Sequence, residues 1–303
     1  MKSDIAVVLV NYNAGGELRR ALQSVADAAA DRSWEAIVVD NASSDDSVTA
    51  TQAFPQARLI RNAQNVGFGR AANQGIAASS APLVVIMNPD CRLLDGALAA
   101  LHRELDGRPS CGLVGPRILD PDGSVQGSAR GDPDMFTGLF GRTSKLRRSL
   151  PQLAVSKRNV ITREGMAATS PSVAVDWVSG ACMVARRDAL EAVGGFDERY
   201  FLYWEDADLC RRLRRHGYEV RYVPGATAIH RVGQSSQTAR AASIRAFHES
   251  AYLYYATHVA AGPLNPKRVL ARVMLGVRCW WMLRRLRRNS PLPTPNSQAF
   301  DSR

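Results

Sequence analysis

The candidate chemistry of this chain sits on a few acids at the ends of apolar runs. The stretch "LVVIM" (83–87) stops at Asn88-Pro89-Asp90. Asn-Pro is a turn-former, so one reading of Asp90 is an ordinary turn residue. The other is a carboxylate offered to a ligand. A bound diphosphate brings charge that a divalent cation, held by one or two carboxylates and phosphate oxygens, would neutralise. Asp40 likewise closes "EAIVVD" (35–40) and is followed by Asn41 and Asp45. That pattern suits strand, turn and helix cap. It suits equally a carboxylate that accepts from a nucleobase N–H or a ribose hydroxyl. Glu205 and Asp206 open "EDADLCRRLRRHG" (205–217), where acids complement a helix dipole. The preceding "YFLYW" is apolar and aromatic, so the pair emerges from a largely buried approach, and a carboxylate there is a candidate general base. His230 follows the strand-like "ATAI". A lone His is more often structural than a ligand; it becomes a metal ligand only if the fold carries it to Asp90.

These residues need elements to position them. The runs 5–10, 35–40, 57–62 and 83–87 read as strands, and the segments 17–30, 44–53, 69–79 and 95–105 as the helices between them. Continuous rather than alternating apolar strands separated by helices predict an α/β fold, a mostly parallel sheet covered on both faces. In such sheets ligands bind beyond the carboxyl ends of the strands. Four of those ends carry Asn and Asp: "NYN" (11–13), "DNASSDDS" (40–47), "NAQNVGFG" (62–69) and "NPD" (88–90). Together they predict one polar crevice. Further on, "CGLVGPRILDPDGSV" (111–125) predicts strands with a turn at Asp122-Gly123, and 126–172 reads as a long loop. The stretch 203–217 predicts a helix with Leu209 and Leu213 inward and an Asp208–Arg212 pair. Helical segments follow at 239–260 and 266–288, then a Pro-rich tail expected to be disordered.

At 303 residues with 46% hydrophobic and 22% charged content, the chain is long enough for a large core, and its composition excludes a disordered or fibrous class. A net charge of +11 calls for an anionic partner: nucleic acid, an acidic membrane or a phosphorylated small molecule. Cys91, Cys111, Cys182, Cys210 and Cys279 are odd in number and have no CxxC spacing. A disulfide framework or zinc cage is therefore not expected, and a reducing compartment is. The N-terminal apolar stretch is too short for a signal segment, so the expected location is cytoplasmic.

Two stretches need weighing. "GFGRAA" (67–72) matches a dinucleotide-binding fingerprint, yet it follows the third strand rather than the first, which argues against a nicotinamide site. Its glycines still imply close backbone approach or unusual dihedrals. In 266–288, Lys267, Arg268, Arg272, Arg278, Arg284, Arg285, Arg287 and Arg288 surround Leu270, Val273, Val277, Trp280 and Trp281. A solvated helix packed on the body of the protein is one reading. A basic amphipathic helix lying on an anionic bilayer is the other, and it accounts for the positive charge without nucleic acid.

The motifs "VVLVNYN", "VVDNASSDDS", "NVGFGRAANQGI", "VIMNPD", "VSGACMVARRDALEAVGGFDERYFLYWEDADLCRRLRRHGY" and "ATAIHRVGQSS", in this order, resemble the inverting GT-A glycosyltransferases of family 2, in particular the bacterial rhamnosyltransferase-like enzymes of surface polysaccharide synthesis. The resemblance spans about 5–236. It implies a nucleotide-diphosphate-sugar donor, with Asn11, Tyr12, Asp40 and Asn41 near base and ribose and Arg70 and Asn73 beside the diphosphate. It implies Mg²⁺ or Mn²⁺ at Asp90, within a motif whose first acid is here Asn88, and a histidine completing the metal site at His230. It also implies Asp206 as general base, with Glu205 its partner in the catalytic pair. The implied reaction moves a sugar, rhamnose from dTDP-rhamnose foremost, to a glycan or polyprenyl-linked glycan. The implied organisation is a donor-binding half (1–110), an acceptor-binding and catalytic half (111–236), a membrane-associating helical segment (237–288) and a tail (289–303), peripheral on the cytoplasmic face of the inner membrane. Rival readings are a sugar-phosphate nucleotidyltransferase, whose Gly- and Arg-rich loop with a Lys would fall where "NYNAGGELRR" stands, and a non-enzymatic basic binding module.

Overall fold

Strand β1 (Ile5–Asn11) is buried along its whole length. Successive side chains of a strand point to opposite faces, so Ile5, Val7 and Leu9 enter one core while Ala6, Val8 and Val10 enter another. A strand apolar on both sides needs cover on both. The first face is covered by α1 (Glu17–Ala29), through Leu18, Leu22 and Val25, and by α3 (Ala97–Asp106), through Leu98, Leu101 and Leu105. The second is covered by α2 (Phe68–Ala77), α4 (Arg187–Ala192) and α5 (Glu205–Arg215), through Ala72, Ile76, Leu190, Leu209 and Leu213. The computed structural model describes residues 3–29, 32–132, 168–231 and 240–289.

β2 (Trp34–Asp40), β3 (Ala57–Arg61) and β4 (Leu83–Met87) join β1 in the order β3-β2-β1-β4, all parallel. The remaining strands are β5 (Cys91–Leu93), β6 (Cys111–Leu119), β7 (Ala129–Arg130), β8 (Val173–Ala174), β9 (Trp177–Val178), β10 (Cys182–Arg186) and β11 (Glu219–His230). The sheet continues through β10, antiparallel to both neighbours, then β6, β11 and β5, while β8 pairs with β11 and β7 with β9. β6 and β11 are again parallel. One register matters for function. After a shift between Val223 and Thr227, β11 runs on antiparallel to β5 and sets His230 opposite Cys91.

The helix expected near 44–53 is a 3₁₀ turn, Ser47–Ala53, a short form that suits a connector. β3 is only half-buried because it is the sheet edge, where Arg58 and Arg61 face outward. The turn at Asp122-Gly123 is present, but the returning chain meets β6 only at the Leu119–Val125 bridge. Most of the expected loop, residues 133–167, and the tail beyond 289 lie outside the described residues. Helices α6 (Arg240–His258) and α7 (Pro266–Asn289) pack on each other around Tyr255, Ala260 and Ala271.

Candidate active site

The ends of β1 and β2 lie in register, Asn11 opposite Asp40. Asn11 is fully buried, and its Nδ2 reaches Asp40 Oδ1 at 2.8 Å, Ser47 Oγ at 2.8 Å and Ser43 Oγ at 3.0 Å. Asp40 accepts a further bond from Ser43 Oγ at 2.5 Å. Asn11 thus lies beneath Asp40 and fixes it, while Tyr12 beside it stays half-exposed. Asn41 is also buried and works as a cross-link: its Nδ2 donates to the Gly67 carbonyl at 3.1 Å and its Oδ1 accepts from Asn62 at 2.8 Å.

The Gly67 region behaves as its glycines imply. Gly67 has φ +89°, and a Cβ there would sit 2.6 Å from the Phe201 carbonyl; at Gly69 it would meet Phe196 at 3.2 Å. Both close approaches are to the chain's own 196–201 loop, which accounts for the glycines without a dinucleotide. Asn73 belongs to the same junction. Its Nδ2 donates to the Phe196 carbonyl at 2.9 Å, and its Oδ1 accepts the Phe196 N–H at 2.9 Å. Arg70 is exposed and pairs loosely with Glu198 at 3.5 Å. Arg70 is therefore open to a ligand, whereas the Asn73 carboxamide is committed to holding the loop.

Asp90 and His230, 140 residues apart, meet. His230 Nε2 lies 3.2 Å from Asp90 Oδ1 and 3.4 Å from Asn88 Nδ2, and both Asp90 and His230 are about nine-tenths buried. The juxtaposition follows from the β11–β5 register, reinforced by the Arg231 N–H donating to the Asp90 carbonyl at 3.0 Å. No cluster of three His, Cys, Asp or Glu side chains able to hold a metal exists among the described residues. One carboxylate and one imidazole still fit a divalent cation that completes its shell with phosphate oxygens and water.

Glu205 and Asp206 open α5 after a backbone turn in which Tyr203 (φ 68°) and Trp204 (φ 71°) both adopt left-handed geometry. Aromatic residues rarely do so, at a cost of roughly 1–3 kcal/mol each. Helix α6 braces the turn: Phe247 packs on Tyr203 and Trp204 at centroid distances of 5.9 and 5.8 Å, Tyr254 on Trp204 at 5.4 Å, and Ser250 Oγ donates to the Leu202 carbonyl at 2.9 Å. The two acids then differ. Glu205 is buried with Oε2 unpartnered among the described residues, and burial, then the charge of Asp206, holds its carboxyl well above the usual range. Asp206 is partly exposed, accepting the Gly180 N–H at 2.9 Å and the Ala207 N–H at 2.8 Å.

Gly180 joins the two acidic centres. Its N–H holds Asp206, and the next carbonyl, Ala181, accepts the Asn88 N–H at 3.0 Å. Consecutive residues thus tie the Asp206 carboxylate to the Asn88-Pro89-Asp90 turn. Residue types do not announce this link, because Gly180 and Ala181 act through backbone groups although they lie within a quoted motif, and Gln126 and His258 stand outside every motif.

A sheet whose polar strand ends face one crevice, with a carboxylate–imidazole pair and a second acid stitched beside it, defines a GT-A glycosyltransferase. Solved structures of that fold match along the chain: a mannosyltransferase from Pyrobaculum calidifontis in complex with GDP-Man and Mn²⁺ (TM-score 0.55, 17% identity, 97% of this chain and 77% of that one), and GalNAc-T7 with UDP, GalNAc and Mn²⁺ (TM-score 0.57, 15% identity, 98% and 60%). The chain belongs to glycosyltransferase family 2. The family model described as glycosyl transferase family 2 matches residues 6–194, and one described as N-terminal domain of galactosyltransferase matches 164–234. An N-acetylglucosaminyl-diphospho-decaprenol L-rhamnosyltransferase of Mycobacterium tuberculosis is 35% identical over 96% of both chains. Rhamnosyltransferase WbbL of Escherichia coli is 38% identical over 82 residues, 27% of this chain and 31% of its own. The fold and family expected from the motifs are borne out. The protein is therefore a glycosyltransferase, which removes both the nucleotidyltransferase and the non-enzymatic alternatives.

Proposed function

We propose that this glycosyltransferase moves rhamnose from dTDP-rhamnose, with inversion, to a polyprenyl-diphosphate-linked N-acetylglucosaminyl acceptor. The similarity to the mycobacterial rhamnosyltransferase along nearly the whole chain supports the sugar and the acceptor class. The observation that carries the mechanism is the 180–181 link, which sets one acid beside the turn that faces the donor diphosphate. Asp206 takes the proton of the acceptor hydroxyl as its oxygen attacks the anomeric carbon. The bond from that carbon to the diphosphate breaks on the opposite face, so no covalent enzyme intermediate forms. Asp40, held by Asn11 and Ser43, accepts from the nucleoside; Tyr12 and Asn41 line the same end, and Arg70 meets the diphosphate. Asp90 and His230 would hold Mg²⁺ or Mn²⁺, which supplies Lewis-acid stabilisation of the departing diphosphate. Asn88 shapes the turn and contributes an amide.

In this reading residues 1–110 serve the donor and 111–236 the acceptor and the base, with α6 bracing the catalytic turn and α7 meeting the membrane. Incubating the protein with a panel of nucleotide-sugars and polyprenyl-diphosphate-GlcNAc tests it. Transfer is expected from dTDP-β-L-rhamnose, with an α-linked product by NMR. Retention of the β configuration, or efficient transfer only from another sugar, would reject the respective part.

A peripheral position on the cytoplasmic face of a membrane belongs to this reading, and helix α7 supports the membrane contact. No helix among the described residues is long and apolar enough to cross a membrane. The packing divides the apolar residues of α7 between two sides. One apolar side, with Ala271 and Leu275, is buried, and a second stripe (Val269, Leu270, Val273, Val277, Trp280, Trp281) is exposed. The helix contains no acidic residue, and Arg284 and Arg285 lie over the rings of Trp280 and Trp281 at 5.2 and 5.6 Å. Cations beside exposed tryptophans suit an anionic interface. The double variant Trp280→Ser/Trp281→Ser should weaken partition onto vesicles containing phosphatidylglycerol by about 100-fold or more, from roughly 1.5–3 kcal/mol of burial per large side chain. Co-sedimentation measures it, and unchanged binding places the anchor elsewhere.

A further inference from the structure

Gln126 lies outside every motif yet touches His230 twice. Its Nε2 lies 2.7 Å from the His230 carbonyl and 2.8 Å from Asp120 Oδ1. Both neighbours are acceptors, so the amide nitrogen must face them and Oε1 must face the other way. Oε1 lies 3.1 Å from His230 Nδ1. An acceptor at that distance requires a proton on Nδ1. A neutral imidazole has one ring proton, so Nε2 presents its lone pair to the space shared with Asp90 Oδ1, 3.2 Å away. The Asn88 Nδ2, 3.4 Å from Nε2, is a donor pointed at the same lone pair.

From this we propose that Gln126 is a positioning residue: it fixes His230 as the Nδ1–H tautomer and so keeps Nε2 free to bind the cation with Asp90. Free imidazole side chains favour the Nε2–H form in water. In that form the proton would lie between Nε2 and Asp90 Oδ1 and occupy both ligand atoms. Gln126 moves the proton to the far side of the ring, and Asp120 fixes the sense of the Gln126 amide. Partners of this kind behind a metal-bound histidine typically change metal affinity by about 10–100-fold. The inference rests on the Asp90–His230 metal reading and adds a residue to it.

The test uses the full chain without donor. Mn²⁺ affinity is titrated by EPR, and the His230 tautomer is read from ¹⁵N–¹H correlations at mildly alkaline pH. Wild type should show Nδ1–H. Gln126→Met should shift His230 to Nε2–H and weaken Mn²⁺ binding by about 10–100-fold, with metal-free dTDP binding unchanged. Gln126→Glu, paired with Asp120→Asn so that its second oxygen meets a donor instead of a carboxylate, keeps an acceptor on Nδ1 and should retain most of the affinity, which separates the acceptor role from mere packing. An Nε2–H tautomer in the wild type overturns the inference whether or not the variants fold. So does Mn²⁺ affinity lost in His230→Ala but intact in Gln126→Met, and that result leaves the metal reading standing. Mn²⁺ affinity unchanged in His230→Ala and Asp90→Ala overturns the metal reading itself.

Discussion

Replacing Asp206 with Asn is expected to lower the rate of transfer by about 10²–10⁴-fold, the usual contribution of a positioned general base, while leaving donor affinity close to wild type. Asn keeps the size of the side chain and an acceptor for the Gly180 N–H but turns an amide toward the Ala207 N–H, so the unchanged donor affinity is what separates a missing base from a displaced helix. The neighbouring acid provides the contrast. Burial and the charge of Asp206 favour the protonated form of Glu205, so Glu205→Gln imitates the form its surroundings favour and should keep most of the activity. Single-turnover kinetics with saturating donor, beside a donor titration, distinguishes the two. An Asp206→Asn enzyme within about tenfold of wild type would show that another group takes the proton. A Glu205→Gln enzyme as slow as Asp206→Asn would reverse the roles within the pair.

The polar strand ends of the N-terminal half were legible because their signals are local. A continuous apolar strand that ends in Asn or Asp announces a parallel sheet and a polar crevice in the same few residues, as "IAVVLVNYN" and "EAIVVDN" do. The Asp208–Arg212 pair and the inward Leu209 and Leu213 follow from helical spacing, and the structure has all of them. Other parts depend on information that no short window holds. The meeting of His230 with Asp90 requires β11 to shift register near Pro224-Gly225 and then pair with β5. The turn before Glu205 places two bulky aromatics at positive φ, against their own preference, and only packing from α6 explains why it persists. Helix α7 looks like a one-faced helix until α6 is seen to cover one apolar side and leave the other exposed.

The same dependence on α6 governs the expected effect of Asp208→Asn, a loss of roughly 3–5 kcal/mol of stability, as for breaking a buried charge pair. Asp208 is almost fully buried one residue beyond Ala207. Its Oδ1 lies 2.6 Å from His258 Nε2 and its Oδ2 2.7 Å from Arg212 Nε, while Tyr200 OH stands 3.5 Å away. His258 ends α6, so this carboxylate ties the helix that carries Asp206 to the helix that braces the strained turn. Asn cannot match both partners: its amide nitrogen is a donor turned toward a donor, and Arg212 loses its buried counter-charge. His258→Gln keeps a donor to Asp208 and leaves the Arg212 pair, so its loss should be smaller, about 1–3 kcal/mol. The turn at Tyr203 and Trp204 holds its strain only while α6 is seated. Asp208→Asn should therefore also lower kcat at temperatures where the protein stays folded, with donor affinity changing less. Urea unfolding gives the first quantity and steady-state kinetics the second. An unchanged urea midpoint would mean that the Asp208 pair is not what seats α6, and an unchanged kcat beside a lowered midpoint would separate the brace from the placement of Asp206.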